Sequence, residues 1–239
     1  MKPLLRAAVL LTTIGCASLR AQAPRTETPA LASKPTVTFS FDWPRIEPHR
    51  YRIAVEDSGN AIYQSWTAEA ETEPPSGDDS YRQTFTMSAP ARDRIFALAR
   101  ELRYFNGDFE YRKHPVAVTG EKILAYADAE RRFETRYNWS ENQGVGDLTA
   151  LFQGISMTIE SGRRLKRLRR FDRLGLDEEL KSLEHFAVER RAVELQAIAP
   201  VLLEIAGDSA VLNIARQRAR HILQIAGVPL SADTKAFTQ

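Results

Sequence analysis

Two groups of residues hold most of the chemical potential of this 239-residue chain. Asp108, Glu110 and His114 share one polar stretch, where a carboxylate could orient an imidazole for general acid–base work. Arg163-Arg164-Leu165-Lys166-Arg167-Leu168-Arg169-Arg170 concentrates cations that could serve an anionic partner. Other candidates fail on spacing. The 4 histidines, His49, His114, His185 and His221, fall in separate predicted elements, and no two have the i, i+4 or short-loop spacing of metal ligands. Gly154-Ile155-Ser156-Met157-Thr158 has Thr158 where a nucleophile elbow needs its second glycine, and it lies inside a predicted helix. Asp78-Asp79 lacks converging ligands for a cation. Trp43, Trp66, Trp139 and Tyr137 could stack on a sugar only from a shared exposed face, whereas strand aromatics usually face a core. The expectation is no catalytic set, no cofactor site and no metal site.

The basic run has a plainer reading. Asp172, Asp177, Glu178, Glu179 and Glu184 follow it closely, so its arginines are expected to form a solvated, acid-paired helix face. Anionic envelope lipid is the competing partner. Nucleic acid is not expected, because the chain starts like an exported protein.

That start is Lys2 and Arg6 before the apolar run Ala7 to Ile14, a secretory layout too short to span a bilayer. Two processing routes compete. Ala21-Gln22-Ala23 has the small-x-small form of a signal peptidase site, although Pro24 hinders cutting there, which makes residues 1–23 a signal peptide. Thr13-Ile14-Gly15-Cys16 resembles a bacterial lipobox, with Thr13 where leucine is usual. The resemblance implies lipidation of Cys16, the only cysteine, after removal of residues 1–15.

Removing the signal changes the charge argument. Of 33 basic and 31 acidic residues, Lys2 and Arg6 leave with it and no acid does, so the mature chain is close to neutral and its charge gives no support to nucleic-acid binding. With no cysteine pair available, stability must come from a core, and 43% hydrophobic residues suffice for one.

The elements read as α+β: an antiparallel sheet of about six strands covered by two helices, then a C-terminal helical hairpin. Residues 24–35 read as a flexible tether, 36–161 as the α+β domain, 162–228 as a helical subdomain and 229–239 as a disordered tail. Val37, Phe39 and Phe41 alternate in a first strand, and Tyr51 to Val55 with Ala61 to Trp66 form a hairpin about Asp57-Ser58-Gly59-Asn60. Glu69 to Ser80 reads as a flexible loop. Tyr81 to Trp139 is expected to be the organising stretch: a strand with Phe85 inward, a helix capped by Ser88 carrying Ile95, Leu98, Ala99 and Leu102, then strands Lys122 to Ala127 and Arg131 to Tyr137.

Farther on, Ser140 and Gln143 have capping-box spacing before a helix bearing Leu148, Leu151, Phe152, Ile155 and Ile159. Ser161-Gly162 is expected to break that helix or change its buried face. Asp177 should cap the next helix, Pro200 should kink or divide it, and Gly207 should close it before a last helix with Ala215, Ile222 and Leu223 inward. Over Leu195 to Ala226 the helical pair resembles one unit of a solenoid of the HEAT type, without a second copy. Residues Thr36 to Ile159 resemble small exported bacterial domains of unknown function, a likeness that transfers no site.

The favoured expectation is a non-enzymatic envelope protein, periplasmic or lipid-anchored, whose helical C-terminal part or sheet face contacts another envelope protein. A periplasmic hydrolase using the Asp108 to His114 carboxylates and histidine is the alternative. The oligomeric state is not legible.

Overall fold

The computed structural model describes residues 34–66 and 80–230. The signal, Cys16, most of the 24–35 tether, the Glu69 to Ser80 loop up to its last residue, and the tail beyond residue 230 lie outside the described residues.

Six strands, β1 (Thr36–Asp42), β2 (Arg50–Glu56), β3 (Asn60–Trp66), β4 (Ser80–Thr86), β5 (Glu121–Ala127) and β6 (Arg132–Tyr137), form one sheet in the order β4-β3-β2-β1-β5-β6. Every pairing is antiparallel. The two hairpins at β2–β3 and β5–β6 follow from short polar turns that leave no length for a crossover. The fold class is therefore α+β, with helices after the sheet and a helical pair at the C-terminal end. The organising stretch is elsewhere than expected. β1 and β2 occupy the centre, and β4 is an edge strand whose Phe85 is only half-buried.

Alternation sends Val37, Phe39, Phe41, Tyr51, Ile53, Val55, Tyr63 and Leu124 to one face. There they meet Ile95, Leu98 and Ala99 of α1 (Ala89–Glu101) and Val145, Leu148, Phe152, Ile155 and Ile159 of α2 (Gln143–Phe171). Phe39 stacks on Phe152 with ring centroids 5.1 Å apart. Pro90 sits in the first turn of α1, where its missing N–H costs nothing. After α1 the chain reverses through Arg103, Tyr104 and Phe105, all with positive φ. A fully buried Phe105 and the packing of Tyr104 on Tyr126, with Arg131 over its ring, hold this turn in place.

The helix caps depart from expectation in a consistent way. Ser88 makes no side-chain cap, because its hydroxyl is bound to Glu194. Asn142, not the Ser140–Gln143 pair, caps α2 by accepting from Val145 N–H at 3.2 Å. Asp172 caps α3 (Arg173–Val188) through the N–H groups of Leu174 and Gly175, while Asp177 is paired with Arg218 instead. Short polar side chains one residue from a helix start compete for the same role, and only the backbone path selects one.

Ser161-Gly162 does not break α2, which runs unbroken for 29 residues with both residues buried. The partners of the helix change there. Up to Ile159 it packs on the sheet; from Leu165 it belongs to a second cluster with Leu176, Leu180 and Leu183 of α3, Val201, Leu202 and Ile205 of α4 (Ala199–Gly207), and Ala215, Ala219, Ile222 and Leu223 of α5 (Asn213–Ile225). The division expected at Pro200 falls earlier, at residues 189–194, where Arg190 and Glu194 take positive φ. Pro200 stands in the first turn of α4. Gly207 is the last residue of α4, and α5 begins at Asn213 with Leu212 in the cap position.

Candidate functional site

The face of the sheet opposite α1 and α2 forms a hollow of about 610 Å³. Its floor is made of the outward residues of the central strands: Thr36, Thr38 and Ser40 of β1, Ala54 of β2, Ile123, Ala125 and Ala127 of β5. Apart from Ile123 these are small, so most of the floor is low. Register sets larger charged residues around it. Arg50 lies opposite Asp42 and pairs with it at 2.7 Å; Arg136, on the edge strand, pairs with Glu121 at 3.1 Å and Glu134 at 3.2 Å. Arg52 donates to Ser40 Oγ at 3.2 Å. At one end lies Trp66, 6% exposed, whose indole N–H has no hydrogen-bond partner among the described residues. The hollow therefore offers shape, Arg50 and Arg136 in ion pairs with Asp42, Glu121 and Glu134, two further arginines at Arg52 and Arg132, and the buried indole donor of Trp66.

A second cluster escaped the sequence reading. Glu160 is 3% exposed and accepts from Tyr63 OH at 2.9 Å and Ser65 Oγ at 2.6 Å, while Arg163 Nε lies 2.9 Å from its other oxygen. Ser156 Oγ stands 3.1 Å from Tyr63 OH. Burial first, and the Glu160 charge second, push the Tyr63 hydroxyl well above the usual tyrosine range; Tyr81 is raised for the same two reasons, against Arg163. The phenols thus remain donors, and the cluster acts as a polar tie between β3 and α2. Its outer side opens on a cleft of about 290 Å³ lined by Glu47, Pro48, Glu160, Arg163, Arg164 and Arg167. The available signal was Glu160 directly after the apolar position Ile159, where a charge needs a buried partner.

Asp108, Glu110 and His114 do not converge. Asp108 is bound by Arg112 at 2.9 Å and by the Glu110 N–H at 3.0 Å. Glu110 turns to the Asn138 N–H at 2.5 Å, and His114 is exposed beside the Tyr111 ring. His185 pairs with Glu189 at 3.2 Å, and His221 with Glu184 at 2.7 Å, both across exposed surface. Among the described residues no group of three or more His, Cys, Asp or Glu could hold a metal ion. The aromatics share no face: Tyr137 is buried with its hydroxyl 2.7 Å from Thr149, and Trp139 meets Tyr111 edge-on at the surface.

The basic run divides. Arg163 pairs with Glu160, Arg164 with Glu179 at 2.9 Å, and Arg169 with Glu204 and Asp208. Of the acids expected to neutralise the run, only Glu179 does so; Asp172 caps α3, and Asp177 and Glu184 hold Arg218. Lys166, Arg167 and Arg170 have no acidic partner within bonding distance among the described residues. No helix among the described residues is long and apolar enough to cross a membrane. Compared with known protein families and with curated proteins, the chain matches none.

Proposed function

We propose that this chain is a non-enzymatic binding module of the bacterial cell envelope, exported and either free in the periplasm or tethered by lipid on Cys16, which holds a protein partner on the uncovered face of its sheet. The observation that carries the reading is the hollow over β1, β2 and β5, with small side chains on its floor and paired charges of both signs around it. An antiparallel sheet tolerates water on one face, and among the described residues α1 and α2 pack on the other, which supports a recognition role for this one. A low floor admits a partner's side chains, and neutralised charge pairs suit the mixed polar surface of a polypeptide better than a polyanion. Asp108, Glu110 and His114 are each engaged with different neighbours, which favours a binding role over the hydrolase alternative. Export rests on the N-terminal layout of basic and apolar residues.

The test is photo-crosslinking in cells, with benzoylphenylalanine replacing Thr38 or Ala125 and, as a control, the exposed Lys181. A discrete crosslinked species at both sheet positions, absent at Lys181 and lost when Ala54→Arg fills the hollow, is the expected result. Crosslinks no different from the control, or fractionation of the protein with the cytoplasm, would overturn the reading.

A further inference from the structure

The corner between α2 and α3 holds two large apolar side chains in water. Phe171 is 82% exposed and Leu174 is 76% exposed. Single exposed apolar residues are ordinary, but these two are three residues apart at the same chain reversal, and cations surround them. Lys166, Arg167 and Arg170 occupy positions i, i+1 and i+4 of α2, within about 100° of one another around the helix, and Phe171 follows about 40° beyond Arg167. Arg173, also exposed, adds a fourth charge from the first turn of α3.

These four cations have no acidic partner within bonding distance among the described residues, whereas the other three of the run are taken up by Glu160, Glu179, Glu204 and Asp208. The nearest acid along the chain, Asp172, is occupied by the N–H groups of Leu174 and Gly175. The corner is thus a local concentration of positive charge around a projecting apolar pair.

We propose that this corner docks on an anionic phospholipid surface, with Phe171 and Leu174 entering the boundary between headgroups and acyl chains and Lys166, Arg167, Arg170 and Arg173 lying against the lipid phosphates. Charge complementarity names the surface, and the projecting apolar pair selects lipid over an acidic protein. A fluid bilayer accepts a protruding Phe–Leu pair without a preformed pocket, and long basic side chains reach the headgroup plane while their stems stay apolar. The inference shares no residue with the sheet hollow and stands apart from any lipid on Cys16.

The experiment uses residues 24–239, the mature chain without the apolar signal and Cys16, so that neither contributes, and sedimentation with vesicles of phosphatidylcholine alone or mixed equally with phosphatidylglycerol. Binding to the mixed vesicles is expected to fall at least tenfold between about 0.1 and 1 M salt, as the screening length shrinks from ~10 to ~3 Å. Replacing Lys166, Arg167, Arg170 and Arg173 by Gln should weaken it at least ~100-fold, since each basic residue near such a surface contributes about fivefold. Phe171→Ser with Leu174→Ser should weaken it about tenfold or more, with melting temperatures unchanged. An environment-sensitive dye on Phe171→Cys should shift to the blue on mixed vesicles only. Absence of binding, equal binding to phosphatidylcholine, or binding indifferent to both variants would overturn the proposal. Equal binding to polyglutamate that ignores the Ser changes would do so in favour of an acidic protein.

Discussion

Glu194 receives both the backbone N–H of Ser88, at 2.7 Å, and its hydroxyl, at 2.6 Å, across 106 residues of chain. The N-terminus of α1 is therefore closed by a carboxylate from the segment preceding α4, where a negative charge is favoured. Glu194→Ala leaves these two donors and the Gln196 side-chain amide without their acceptor, and the expected loss is about 1 to 3 kcal/mol in urea unfolding. Glu194→Gln keeps an acceptor and should lose less. A loss below about 0.5 kcal/mol for the alanine variant would show that water replaces the carboxylate.

Gly162 and Gly146 make a paired test inside one helix. A β-carbon at Gly162 would collide with the Ile198 side chain, whereas one at Gly146 would meet nothing within 4 Å. Glycine to alanine in a helix ordinarily stabilises by about 1 kcal/mol. Gly146→Ala should follow that rule. Gly162→Ala should reverse it, lowering stability by about 1 to 3 kcal/mol through overpacking. Equal signs in the two melting curves would refute the close approach of α2 to residues 195–198.

Asp128 supplies a pH dependence. Burial alone would raise its carboxyl, but the N–H groups of Glu130 and Arg131, the Arg131 guanidinium and the Tyr126 hydroxyl outweigh it and hold the value at about 2. A depressed folded value means that the contribution is complete above the unfolded value of about 4 and is lost as the pH falls through about 2. The melting-temperature gap between the parent and Asp128→Asn should thus be present at neutral pH and close over that acid range. A gap independent of pH would mean that the charge is not what matters.

Cys16 is tested by fractionation. If the lipobox reading holds, Cys16→Ser releases the protein from membranes or blocks its maturation, and the mature mass changes accordingly. An unchanged mass and distribution would leave cleavage after Ala23 as the route.

What could be read from the chain was whatever a short period encodes. Alternation placed Val37, Phe39, Phe41, Tyr51, Ile53 and Val55 correctly, and helical spacing did the same for Ile95, Leu98 and Ala99. Strand order lay outside that information, so Phe85, given the buried side of its strand, is half-buried at an edge while Ile95 is fully enclosed. Gly162 looked like a helix break because its reason, the side chain of Ile198, comes from a distant segment. Ser88 looked like a cap because Glu194 was invisible. For the site, the alternation that defines the buried face also defines the open one, but the hollow depends on which strands lie side by side, and the split of the basic run depends on where Glu204 and Asp208 fold back.

The seam between β1 and β5 has a kinetic consequence. Among the described residues, four of the five strand pairings join neighbours in the chain, and only this one joins residues as far apart as Thr36 and Ala127. The β2–β3 and β5–β6 hairpins can close early, because their turns are short and cost little entropy. The seam must wait until the intervening chain, α1 included, has been gathered in. On this topology the slow step of folding is the zipping of β1 onto β5, and a mutation such as Leu124→Ala, facing Phe39 across it, should change the folding rate more than one in the β2–β3 turn.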